Sequence, residues 1–149
     1  MRNNVFRKCL YIMSIVSVTL VLIADVFLPK IVSIYAFNVL GSEAPSGILV
    51  FLYLASFPFI LIGISVVKLS GKLLNSNIFY KSSMKELKLI SICSLIDFII
   101  FFVGTFFIYK NLLCLAVMMG TIIVFIISSI VRELIGSGIQ LQEDADLTI

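Results

Sequence analysis

Apolar residues fall along this chain in four long blocks, residues 9–28, 48–67, 89–109 and 112–131, separated by shorter segments that gather most of the charge. Each block approaches the roughly 20 residues that a helix needs to cross a hydrocarbon layer about 30 Å thick. Soluble helices of this length carry an apolar stripe opposite a charged face. These four are apolar all round, with Asp25 and Asp97 their only charged residues. The pattern predicts an all-α fold, an integral membrane four-helix bundle, and the whole of residues 1–149 as a single membrane domain.

The segments between the blocks set the orientation. Four spans place both termini on one side, together with residues 68–88. That side holds Arg2, Arg7, Lys8, Lys68, Lys72, Lys81, Lys85, Lys88 and Arg132, leaving only Lys30 and Lys110 of the 11 basic residues on the other. Basic residues in short loops mark the cytoplasmic face, so both termini are expected in the cytoplasm. The first block follows a basic stretch as a signal peptide would, but it exceeds the 7 to 15 apolar residues of a secretory core, so it is expected to remain as an anchor.

The connections differ in kind. Lys110 and Asn111 alone separate the last two blocks, which predicts a tight antiparallel hairpin. The first connection is longer: residues 30–37 are apolar enough to lie along the headgroups, and residues 41–47 read as loop. Tyr35, Phe37, Tyr53 and Tyr109 are expected at the outer interface as aromatic anchors. On the inner side, Ser83-Met84-Lys85-Glu86 matches a capping box and predicts a helix start near Ser83. Gly136-Ser137-Gly138 is expected to stop the fourth helix, leaving a cytoplasmic tail over 136–149.

Within lipid, small and hydroxyl residues at helical spacing mark packed faces. Such stripes are Ser14, Ser17, Val21 and Ala24; Ser56, Gly63 and Ser70; Ser91, Ser94, Asp97, Gly104 and Thr105; and Cys114, Thr121, Ser128 and Arg132. Asp97 stands out, since an intramembrane carboxylate is costly and turns toward protein or water. By the helical rise it lies about 12 Å inside the inner boundary. Asp97, Ser94 and Ser91 form a candidate intramembrane polar site, with local hydrogen bonds or Lys68 reaching up from below as the expected partners. Asp25 lies about one turn from the outer boundary, within reach of headgroup water.

Composition agrees with the pattern and narrows the chemistry. Apolar residues make up 61% of the chain against the roughly 45–50% of soluble domains, and mean hydropathy is +1.21. Histidine is absent, which removes Ser-His and Cys-His pairs and the commonest zinc ligand. Cys9 and Cys93 belong to one side and Cys114 to the other, so no disulfide framework is expected. Asp25 and Asp97 sit at different depths and cannot share a proton as a dyad separated by about 3 Å would. No phosphate loop or metal-spaced cluster occurs, so neither enzymatic activity nor a cofactor is expected. A net charge of +3 and the lack of a recognition fold argue against direct nucleic acid binding.

Two inner segments resemble a known family. Asn77-Ile78-Phe79-Tyr80-Lys81-Ser82-Ser83-Met84-Lys85-Glu86-Leu87-Lys88-Leu89-Ile90 resembles the Pro-Phe-Ser-x-x-Asn-x-x-x-Leu-x-x-Ile segment of a family of small four-span bacterial membrane proteins of unknown function, with Ile78 where proline is common. The ending Leu141-Gln142-Glu143-Asp144-Ala145-Asp146-Leu147-Thr148-Ile149 is similar to that family's acidic tail, which closes on Asp-Leu-Thr-Ile. Members are often encoded beside a small helix-turn-helix regulator of the Cro/C1 type. The resemblance therefore implies a bacterial plasma membrane location and a regulatory role as membrane partner of a transcription factor.

In that reading Glu143, Asp144, Asp146, Leu147, Thr148 and Ile149 bind the regulator, while Lys81, Lys85 and Lys88 set topology and meet anionic headgroups. An alternative fate for the tail is to fold back on those lysines. Two other functions compete: immunity against a membrane-active peptide through the outer stretch 30–40, and a small transporter centred on Asp97. Lipid, a soluble regulator and further copies of the chain are the partners this layout accommodates.

Overall fold

The computed structural model describes residues 2–40, 47–74, 81–109 and 112–147, with side chains outside the description at 2–4, 39–40, 81, 108–109 and 112–113. In hydrocarbon every backbone polar group needs a partner within its own segment, and the chain meets this demand with helices. They are α1 (Arg2–Tyr35), α2 (Ile48–Leu74), α3 (Lys81–Val103) and α4 (Leu112–Leu147). The wider π-helical turns Ala36–Leu40 and Gly104–Tyr109 extend α1 and α3. All four helices are long and apolar enough to cross a membrane, and the described residues contain no strand. The all-α, four-helix expectation is met.

The helices pack in chain order. α1 lies on α2, α2 on α3 and α3 on α4, and among the described residues substantial contact between these helices runs only between the consecutive pairs. The central α3 is the most enclosed of the four spans and α1 the least. The buried positions of α3 include Ser83, Leu87, Ser91, Ser94 and Asp97, which recur at intervals of three or four and so share one face. α4 answers with Met118, Thr121, Ser128 and Ile135. The helix contacts thus rely on small and hydroxyl side chains that bring backbones close together, as membrane helices do.

α2 serves two neighbours. Gly63 sits against Val18 and Gly71 near Tyr11, so this side meets α1, while Phe51, Ala55, Pro58 and Ser65 are buried. Phe51 meets Phe101 of α3 edge to face, with ring centroids 5.6 Å apart. A side chain at Gly104 would run into the Phe51 ring, so glycine is what lets that ring lie on α3.

Three sequence expectations give way. Residues 30–37 do not form a separate segment: α1 continues through Pro29 to Tyr35 and a π-helical turn follows. Proline supplies no N–H to the carbonyl four residues earlier, here that of Asp25. The hydroxyl of Tyr53 donates to that same carbonyl at 3.3 Å, so Tyr53 is a cross-helix donor.

Gly136-Ser137-Gly138 does not end α4, which runs on to Leu147. Glycine costs a helix about 1 kcal/mol relative to alanine, a penalty that packing offsets. Ile135 is buried, and a Cβ at Gly136 would stand 3.2 Å from Met84 Cε of α3. Ser137 returns its hydroxyl to the carbonyl of Glu133 at 3.0 Å. Gly136 therefore serves close approach of α4 to α3.

The capping box is also replaced. α3 begins at Lys81, so Ser83 lies inside the first turn, fully buried, with its hydroxyl unpartnered. Lys72 at the end of α2 instead donates to the Ser82 carbonyl at 3.0 Å and lies 3.7 Å from Glu86 Oε1. An ammonium within reach outcompetes the serine amide for the Glu86 carboxylate.

Candidate functional site

The polar face of α3 is built from its middle outward. Ser91 Oγ lies 3.0 Å from the Leu87 carbonyl, 2.8 Å from Ser128 Oγ and 3.4 Å from Ser129 Oγ on α4. Ser128 Oγ is in turn 3.0 Å from the Phe125 carbonyl. A serine hydroxyl owns one hydrogen, so Ser91 and Ser128 share two hydrogens among these contacts and clasp α3 to α4. One turn further, Ser94 is fully buried and donates to the Ser91 carbonyl at 3.0 Å.

Asp97 follows on the same face and is fully buried. Neither of its oxygens has a hydrogen-bond partner among the described residues. The local partners expected from sequence are committed elsewhere, since both serine hydroxyls return to backbone carbonyls of α3. Lys68 is exposed and makes no ion pair with Asp97. Thr105, in the π-helical extension, is a further buried hydroxyl without a partner.

Ser94 also borders a cavity of about 250 Å³ between α2, α3 and α4, together with Phe59, Ile62, Gly120 and Thr121. Phe59 and Ile62 belong as well to a cleft of about 380 Å³ between α1 and α2, whose lining includes Ser14, Ser17, Gly63 and Ser70. The first two stripes read from sequence thus meet in part along this cleft. The third is the buried face of α3, and Thr121 and Ser128 of the fourth oppose it.

The acidic candidates are elsewhere. Glu143, Asp144, Asp146 and Leu147 occupy the exposed last turns of α4, and Leu147 is 86% exposed. Thr148 and Ile149 lie outside the described residues. From Ser128 to Glu143 the helix advances about 22 Å, so the tail and the Asp97 face are separate places. Lys85 and Lys88 are exposed on α3; the side chain of Lys81 lies outside the description. Sequence reasoning passed over Lys72 and the Tyr53–Asp25 bond. Pro29 was the available signal for the second, because a proline within a span advertises a carbonyl in need of a donor.

Four helices fit to cross a bilayer, with hydroxyls and a carboxylate buried between them, define a multi-pass membrane protein. The chain belongs to the family described as protein of unknown function (DUF2975), which matches residues 9–149. No curated protein and no solved structure matches it.

Proposed function

We propose that this membrane protein is regulatory: it sits in a bacterial plasma membrane with both termini in the cytoplasm and holds a soluble transcription regulator on the projecting end of α4. The observation that carries the reading is the helix itself. Beyond Val131, where the apolar block ends, α4 continues for about 24 Å to Leu147. It exposes Leu141 and Leu147 beside Glu143, Asp144 and Asp146.

Apolar side chains on a stub outside the span gain by being covered. A segment already helical loses less conformational freedom on docking than a disordered tail would. Its acidic groups complement the basic surface of a DNA-binding domain. The excess of lysine and arginine on the terminal side supports a cytoplasmic position for this end. Lys85 and Lys88 face anionic headgroups, contributing about 1 kcal/mol each.

The test is co-purification from membranes with a small helix-turn-helix regulator of the Cro/C1 type expressed in the same cells. Leu141→Ala with Leu147→Ala, and separately Glu143→Gln with Asp144→Asn and Asp146→Asn, should each lower capture at least tenfold while the protein stays in the membrane. Undiminished capture by both variants would reject the α4 end as the docking element.

A further inference from the structure

The cleft between α1 and α2 has the depth of one leaflet. Its lining runs from Leu10 to Val21 on α1 and from Phe59 to Ser70 on α2, which is about 16 Å along either helix. Half of a hydrocarbon core is about 15 Å. Val18 opposite Gly63 and Tyr11 beside Gly71 set the two helices antiparallel, so Leu10 stands with Ser70 at one end of the cleft and Val21 with Phe59 at the other. Ser70 lies just beyond the apolar block 48–67, which puts that end at the boundary on the side of the termini and the other end near mid-membrane.

The wall of the cleft is hydrocarbon. Met13, Val18, Ile62 and Val66 contribute to it, and no charged residue does. Ser14, which also lines it, returns its hydroxyl to the Tyr11 carbonyl at 2.8 Å. A volume of about 380 Å³ spread over about 16 Å leaves a section of about 24 Å². That admits one slender chain, whereas a helix about 10 Å wide presents about 80 Å². The cleft is therefore shaped for an acyl chain and not for the helix of a second copy.

Charge marks one end of it. Arg7 precedes Leu10 by three residues and Ser14 by seven, so it stands on the cleft face of α1, one turn below the lining. Lys8 is exposed beside it. Residues 1–24 and 48–74, which supply both walls and everything below them, hold Arg2, Arg7, Lys8, Lys68 and Lys72 and not one acidic residue. Lys72 is turned to Glu86 of α3, which leaves Arg7 and Lys8 to set the charge at the mouth.

We propose that the cleft is a binding site for an anionic phospholipid of the leaflet on the side of the termini, with one acyl chain between α1 and α2 and the phosphate at the Arg7 guanidinium and Lys8 ammonium. Arginine takes a phosphate through two parallel N–H bonds, and a long side chain below the span reaches the headgroup level. Lipid surrounds the protein on every side, so a chain gains only close packing by entering the cleft. Selection rests with the headgroup, where the basic end favours a net negative lipid over a zwitterionic one.

The test is native mass spectrometry of the full chain released from nanodiscs of equal parts phosphatidylglycerol and phosphatidylcholine with identical acyl chains. The wild-type protein should keep one phosphatidylglycerol per chain, at least tenfold in excess of phosphatidylcholine. Arg7→Gln with Lys8→Gln should abolish that preference. Ser17→Phe fills the cleft from its exposed edge and should lower retention of both lipids at least tenfold, while Val16→Phe, exposed but outside the lining, should leave retention unchanged. The headgroup variant lies outside the apolar block and carries the decision if Ser17→Phe does not fold. Equal retention of the two lipids by the wild type, a preference that survives Arg7→Gln with Lys8→Gln, equal effects of Ser17→Phe and Val16→Phe, or a second copy of the chain held in place of lipid overturns the proposal.

Discussion

The Tyr53 hydroxyl donates to the Asp25 carbonyl, the one acceptor in α1 that Pro29 leaves without its helical N–H. The bond joins α2 to α1 at the place where α1 would otherwise be weakest. Tyr53→Phe should destabilise the protein by about 0.5–1.5 kcal/mol. In a Pro29→Ala background the carbonyl regains its own donor, and the same substitution should cost markedly less. A double-mutant cycle on reversible unfolding in micelles measures the difference; equal costs in both backgrounds would break the link between the two residues.

Gly104 and Phe51 form a second such pair. Gly104→Ala places a methyl group against the Phe51 ring and should cost about 1–3 kcal/mol through overpacking. Adding Phe51→Leu should recover part of that loss. The unfolding free energies of the two single variants and the double variant decide the matter, and strict additivity would mean that the ring does not constrain Gly104.

The Ser91–Ser128 clasp crosses a helix boundary in an apolar medium. Such bonds contribute modestly, about 0.6 kcal/mol on average, because the unfolded chain in the membrane also finds partners. Ser91→Ala and Ser128→Ala should therefore show a coupling of that order in a double-mutant cycle, with little further loss when the second hydroxyl is removed.

Lys72 ties the end of α2 to the beginning of α3 through the Ser82 carbonyl and Glu86. The pair is partly exposed, so its effect on global stability should stay within about 1 kcal/mol. Local opening is the more sensitive measure. Lys72→Met should speed amide exchange in the first turns of α3 severalfold and leave the middle of the helix unchanged, whereas Glu86→Gln, which keeps the carbonyl contact, should have the smaller effect.

The four spans could be read from the chain because bilayer thickness and backbone satisfaction act on local composition, and every apolar block lies within a helix. The buried face of α3 was equally legible, since Ser91, Ser94, Asp97, Gly104 and Thr105 stand at helical spacing and lipid gives small residues no other reason to align. What escaped local reading depended on a distant partner. Pro29 and the Gly136-Ser137-Gly138 segment are breakers on intrinsic preference; Tyr53 and Met84, remote in sequence, override them. The serine of the capping motif failed for the converse reason, since burial of Ser83 withdrew it from the role its spacing suggested. The partners of Asp97 were misjudged because rotamers decide them, and both serines turned back to their own backbone.

Packing in which each helix rests chiefly on its predecessor bears on biogenesis. Loop closure between chain neighbours costs little entropy, and local topologies form quickly. Every newly inserted helix finds its mate already waiting as the ribosome delivers it, so assembly proceeds in the order of translation with no early segment held idle for a late one.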